Sequence, residues 1–245
     1  TPLYSSAASD VYKRQAATGA PKIFQLYVRG DMDWVEDHVR RAVDAGYAAF
    51  CFTVDLDYYS RRERDIAKRH LPTARQAVVG NEFQMRFDWD DVRRIRARFD
   101  IPLMLKGIAT AEDAALAVEH GIDAVWVSNH GGRQLDHGRG AIEFLPEIVD
   151  AVAGRAAIVF DGGVMRGADV VKAMALGADA VAIGRLQGLA AAAAGEAGLA
   201  RALELLETEV RVCLGLLGVD GWGALDASYL HAAAPVAPAH PLSAF

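Results

Sequence analysis

The chain has 245 residues, of which 52% are hydrophobic and 24% charged. That balance excludes a disordered protein and leaves ample material for a core. The net charge of −6 excludes a surface built to neutralise nucleic-acid phosphates. Two cysteines, Cys51 and Cys213, stand far apart and in no metal-ligand spacing. They exclude a disulfide framework and suggest a reducing, cytoplasmic setting. No stretch reads as a membrane span, which needs roughly 20 apolar residues. Residues 186–195 are too few and alanine-rich, and the uncharged residues 227–245 are broken by Pro235, Pro238 and Pro241.

In chain order, residues 5–15 come first, reading SSAASDVYKRQ. This string is the in-frame translation of a transposon-type sequencing adapter, so residues 1–15 are expected to be foreign to the fold. Residues 16–226 are expected to form the domain, and residues 227–245 a flexible tail.

Strand-like and helix-like segments then alternate. Residues 22–28 (KIFQLYV) read as a buried strand and 33–45 as a helix, with Asp33 as N-cap and Gly46 after its end. Residues 47–54 (YAAFCFTV) read as a second strand, and a polar, arginine-rich segment fills 55–84. Residues 88–99 form an amphipathic helix with Val92, Ile95 and Phe99 on one face. Residues 101–106, 122–128, 156–161 and 179–183 read as further strands, separated by helices over 110–120, 141–153 and 167–176. Two Ala/Leu-rich helical stretches run to about residue 217.

The strands are continuous apolar runs, as in a parallel sheet covered on both faces. The βα spacing suits a (β/α)₈ barrel or a doubly wound open sheet. A barrel carries its active site at the C-terminal strand ends. Here those ends read Gln25 and Tyr27, Thr53 and Asp55, Lys106, Ser128 to Arg133, Asp161-Gly162-Gly163, and Gly184-Arg185. The last two suit a phosphate, with glycines opening the backbone N–H groups and an arginine supplying a forked charge partner. Barrels bind phosphate after strands seven and eight. On that reading the visible strands are three to eight of an incomplete TIM barrel, with two expected upstream.

At this point the sequence resembles the FMN-dependent 2-hydroxy acid oxidases and dehydrogenases, the group of glycolate oxidase and flavin-type L-lactate dehydrogenase. The resemblance covers nearly all of residues 22–218. Its most specific element is SNHGGRQLD at 128–136, with FQLY at 24–27, TVD at 53–55, RRERD at 61–65, LKG at 105–107 and DGG at 161–163 in the family's order.

The resemblance implies FMN as cofactor and oxidation of an (S)-2-hydroxy acid to a 2-oxo acid. It implies His130 as the active-site base, Asp55 as the carboxylate that orients it, and Tyr27 at the substrate oxygen. Arg62 and Arg133 would grip the substrate carboxylate, where a planar guanidinium outperforms an ammonium. Gln25, Thr53 and Ser128 would hold the flavin ring, and Lys106 would stand by its N1 and O2 edge. Asp161, Gly162, Gly163, Gly184 and Arg185 would hold the ribityl and phosphate end. Many relatives carry an arginine directly after DGG-Val; this chain has Met165 there, so Arg166 is the substitute. The electron acceptor would be O₂ or a quinone or cytochrome, and the parent protein a tetramer. Set against this are two alternatives: an inactive incomplete-barrel fragment, and another FMN- or phosphate-binding barrel enzyme. Trp34, Trp89, Trp126 and Trp222 are expected to be packing groups, and Cys51 inert core.

Overall fold

The computed structural model describes residues 19–58, 60, 66–69, 81–135 and 137–233. Six strands form one sheet in sequential order: β1 (Ile23–Leu26), β2 (Ala49–Thr53), β3 (Leu103–Ile108), β4 (Ala124–Val127), β5 (Ala157–Phe160) and β6 (Ala180–Val181). Every neighbouring pair is parallel. Helices connect them: α1 (Met32–Asp44), α2 (Asn81–Arg86), α3 (Trp89–Arg98), α4 (Ala111–Glu119), α5 (Ala141–Val152), α6 (Gly167–Ala175) and α7 (Arg185–Leu217). Sequential order with a helix between parallel neighbours is barrel winding; a doubly wound sheet would reverse its order. The architecture is an incomplete (β/α) barrel, because β1 and β6 do not pair with one another.

Strand alternation sorts the apolar side chains into two layers. Phe50, Phe52, Leu103, Leu105, Val125, Val127, Ile158 and Phe160 point outward into the main core beneath the helices. Ala49, Cys51, Met104 and Ala124 point inward with Trp126 and Val159, a smaller cluster that fills the barrel interior. Both faces of β2 are thereby buried over all five residues, which is why it reads as an unbroken apolar run. The inward parity continues past the apolar layer to Thr53, Lys106, Ser128 and Asp161. The same alternation that builds the core therefore delivers polar groups to one end.

Helix starts follow short-range chemistry. Asp31, not Asp33, caps α1 by accepting from Trp34 N at 3.0 Å. Asp88 and Asp91 form a reciprocal capping box on α3, and Thr110 caps α4 through Asp113 N. The Ala/Leu-rich stretch is two helices meeting at a break at Ala194 and Gly195, where Gly195 adopts a φ of 57°. Gly167 lets α6 lie directly on α7, since a Cβ there would stand 2.4 Å from that of Glu209.

The structure departs from the sequence reading at two elements. The last strand shrinks from residues 179–183 to Ala180–Val181; among the described residues its one sheet neighbour is β5. Helix α2 stands where a polar segment was expected. Its buried residue is Gln84, an amide rather than an apolar group, so hydrophobic periodicity carried no signal for it. Gln84 accepts from Val28 N at 2.7 Å and donates to the Thr53 carbonyl at 3.1 Å, clipping the ends of β1 and β2 together. In the expected tail, Ala227–Tyr229 form a 3₁₀ turn, and residues 234–245 lie outside the described residues. No helix among the described residues is long and apolar enough to cross a membrane.

Candidate active site

The C-terminal strand ends open onto a cleft of about 680 Å³, within the ordinary size for a cofactor or ligand site of roughly 300–1,000 Å³. Gln25, Tyr27, Lys106, His130 and Arg133 line it. So do Asp161, Gly162, Gly163, Gly184 and Arg185. Thr53 and Ser128 are fully buried behind this surface and act through hydrogen bonds. Gln25 Nε2 donates to Thr53 Oγ1 at 2.6 Å.

His130 follows β4 with a left-handed φ of 57°, a conformation that costs a non-glycine residue on the order of 1–3 kcal/mol. Local bonds hold it there. His130 N donates to Ser128 Oγ at 3.1 Å, and Gly132 N donates to Asn129 Oδ1 at 3.0 Å. The turn aims the imidazole at Asp55, whose Oδ1 and Oδ2 lie 3.1 and 3.2 Å from Nδ1. A carboxylate accepts, so Nδ1 carries a proton, and in the neutral ring the lone pair therefore lies on Nε2. Gln134 Nε2 donates to the Asp55 carbonyl at 2.8 Å and the Tyr58 carbonyl at 3.0 Å. Ser60 Oγ donates to the Arg133 carbonyl. The loops after β2 and β4 are thus tied together around the His–Asp pair.

Below them sits a buried polar cluster. Ser128 Oγ donates to Asp161 Oδ1 at 2.7 Å and accepts from Lys106 Nζ at 3.3 Å. Asp161 Oδ2 accepts from Trp126 Nε1 at 3.0 Å and lies 3.5 Å from Lys106 Nζ. Burial pushes the Tyr27 hydroxyl above its ordinary range, opposed by the nearby Lys106 charge, so it remains a neutral donor in the cleft. Burial likewise pushes the Cys51 thiol up to about 12, making it inert interior.

Also in the cleft lining, Gly163 has a φ of 72° and open space where a Cβ would stand. Gly184 precedes α7 without a side-chain cap, so the first helical N–H groups there are not taken by a capping side chain. The Arg185 guanidinium leans on the loop after β4: a Cβ on Gly131 would lie 3.1 Å from Nη2. Bare glycine backbone, a helix start and a cleft-lining arginine form a donor set suited to a phosphate. Lys106 supplies a buried cation to the cleft lining. This donor set and the size of the cleft fit a flavin mononucleotide.

Two expected site residues are not brought to the cleft by the described structure. Arg166 pairs with Glu209 on α7 at 2.6 Å and does not line the cleft. Arg62 lies outside the described residues. Conversely, Trp126 lines the cleft although the sequence reading gave it only a packing role. Its signal was parity: Trp126 is two residues before Ser128 on β4 and pairs in register with Lys106.

A half-barrel with a His–Asp pair, a buried lysine and phosphate-suited donors at its strand termini defines a flavin-binding β/α barrel. The sequence pattern of the FMN-dependent dehydrogenase family matches residues 2–232, and the chain belongs to that family. It is 40% identical over 233 residues to L-lactate oxidase of Nostoc sp., covering 85% of this chain and 63% of that protein. It is 43% identical over 230 residues to 4-hydroxymandelate oxidase of Amycolatopsis orientalis, covering 85% of this chain and 64% of that protein. A crystal structure of mandelate oxidase superimposes with a TM-score of 0.79 at 44% identity, over 87% of this chain and 64% of that one. The chain therefore spans a little under two thirds of these relatives' length.

Proposed function

We propose that this chain carries the proton-transfer and phosphate-binding part of an enzyme that oxidises an (S)-2-hydroxy acid to a 2-oxo acid. The observation that carries the reading is the His130–Asp55 pair, with Nδ1 tied to the carboxylate at 3.1 Å in a cleft whose lining also suits the FMN phosphate. FMN, when bound, accepts the two electrons the substrate gives up. The other work falls to side chains. His130 Nε2 takes a substrate proton, and Asp55 holds the ring in the competent tautomer and stabilises the imidazolium that results. The Tyr27 hydroxyl, kept neutral by burial, donates to the substrate oxygen. Arg133, with Arg62, holds the substrate carboxylate through forked hydrogen bonds. Lys106 would place a positive charge beside the flavin ring, where it favours the reduced form. The relatives' printed activities as oxidases favour O₂ as the electron acceptor.

The open sheet favours a second reading, in which the chain alone holds FMN weakly and does not turn over. Among the described residues β1 and β6 each have one neighbour, whereas a closed barrel has none at an edge. Flavin absorbance distinguishes the two. It would be recorded for the chain alone and for the chain supplied with the part of 4-hydroxymandelate oxidase that it does not match. The main reading expects bound FMN in the completed protein, bleached anaerobically by lactate, glycolate or 4-hydroxymandelate. A completed protein that binds no FMN, or holds FMN that no 2-hydroxy acid bleaches, overturns it.

A further inference from the structure

We infer that Trp126 is a positioning residue: its indole N–H restrains the Asp161 carboxylate so that the Lys106 ammonium stays directed at the flavin instead of closing onto Asp161. This deepens the proposed function and rests on FMN lying in the cleft.

Lys106 and Asp161 are opposite charges with side chains only 10% and 16% exposed, yet their closest atoms stand 3.5 Å apart. An unrestrained ammonium–carboxylate pair in a poorly solvated site closes to about 2.7–2.9 Å. Here both carboxylate oxygens are engaged by neutral donors, Ser128 Oγ at 2.7 Å and Trp126 Nε1 at 3.0 Å. The face of the same indole also lies 5.6 Å from Lys106 Nζ, within the range of cation–π attraction. Trp126 thus satisfies the carboxylate with its edge and the ammonium with its ring. Lys106 has three donor hydrogens; Ser128 Oγ takes one at 3.3 Å, and Asp161 is too distant to take a strong second. The remaining capacity faces the cleft, where Lys106 is part of the lining.

The geometry separates this role from core packing. A packing role needs the ring alone, and phenylalanine would supply most of it. The positioning role needs the N–H, which phenylalanine lacks. In Trp126→Phe, Asp161 Oδ2 loses its neutral donor and draws in the ammonium, leaving less positive charge at the flavin. Oxidised FMN should bind nearly as before, while reduced flavin, which carries the extra negative charge, should bind about tenfold more weakly. For a two-electron couple that is a midpoint potential lower by about 30 mV. If Trp126 acts through the lysine, the same substitution in a Lys106→Met background should produce no further shift.

The test has two arms. In the FMN-free protein, the ¹⁵N-labelled indole N–H of Trp126, assigned by its disappearance in Trp126→Phe, should resonate downfield and move on Asp161→Asn. This arm depends on neither flavin binding nor turnover. In the FMN-bound completed protein, the midpoint potential is measured for the wild type, Trp126→Phe, Lys106→Met and the double variant, with a thermal melt of each. An indole resonance indifferent to Asp161→Asn overturns the inference. So does a potential unchanged in Trp126→Phe, or one that falls equally in the double variant. Absence of FMN binding in the completed wild type overturns the proposed function instead, while the indole arm still decides whether Trp126 holds Asp161.

Discussion

Both oxygens of Asp55 reach the same nitrogen of His130, at 3.1 and 3.2 Å from Nδ1. The symmetry fixes ring orientation as well as tautomer, since rotating the imidazole would lose both contacts. Replacing Asp55 with Asn keeps the shape but removes the charge that supports the imidazolium after proton uptake. Asp55→Asn in the completed protein should therefore slow anaerobic flavin reduction by roughly 10²–10⁴-fold, the usual contribution of positioned acid–base catalysis. His130→Ala should abolish reduction, and both should retain FMN. Unimpaired reduction in His130→Ala would remove it from the role of base.

Gly107 supports this pair from behind. Its φ is 109°, and a Cβ there would lie 2.6 Å from Cβ and Cγ of Asp55. Gly107→Ala therefore meets both backbone strain and a collision with the carboxylate. It should destabilise the fold by more than about 1 kcal/mol and slow flavin reduction in step with Asp55 displacement. Gly46, with a φ of 70° and open space around a Cβ, is the control. Gly46→Ala should show strain alone in urea unfolding and leave flavin reduction unchanged. Equal kinetic effects in the two variants would argue against steric control of Asp55.

The sequence made the barrel legible because its strands are unbroken apolar runs whose ends turn polar and line the cleft. Phe50, Phe52 and Thr53 illustrate this: one alternating stretch builds the core and then reaches the site. The SNHGGRQLD segment made His130 and Arg133 findable. Gln84 was not legible, because it stabilises two strand ends by hydrogen bonding and leaves no periodic trace. Trp126 was legible only by counting parity back from Ser128, and its bond to Asp161 spans 35 positions. Arg166 was placed beside the phosphate by its nearness to DGG, but Glu209 on α7 is a partner that local sequence does not reveal.

Alkaline stability should report the interior of the barrel. Burial raises the Cys51 thiol from an ordinary value of 9.0 to about 12. Between those values the folded chain keeps a proton that the unfolded chain has lost, so stability is full below about 9 and falls as pH rises through the window. At about 1.36 kcal/mol per pH unit, the loss across it is on the order of 4 kcal/mol. Cys51→Ala should flatten that slope in urea unfolding between pH 9 and 11, at the cost of a small cavity at neutral pH. An unchanged slope would mean the thiol ionises without unfolding.

Arg185 and Arg166 stand in different surroundings. Arg185 lines the cleft against Gly131. Arg166 is held by Glu209, whose carboxyl is in turn lowered below its ordinary range by hydrogen bonds from Arg166 and Gly167 N. Hydrogen bonds to charged groups contribute about 1.5–3 kcal/mol, so Arg185→Ala should weaken FMN by roughly 10- to 150-fold. Arg166→Ala should leave FMN affinity unchanged and instead loosen the contact between α6 and α7. The Glu209 shift also sets a sign: its stabilisation is present above the ordinary carboxylate range and lost as pH falls, and Arg166→Ala should weaken that acid dependence to the part owed to Gly167 N. FMN fluorescence quenching and acid titration of both variants check the contrast. An equal loss of FMN affinity in Arg166→Ala would restore it to the phosphate site.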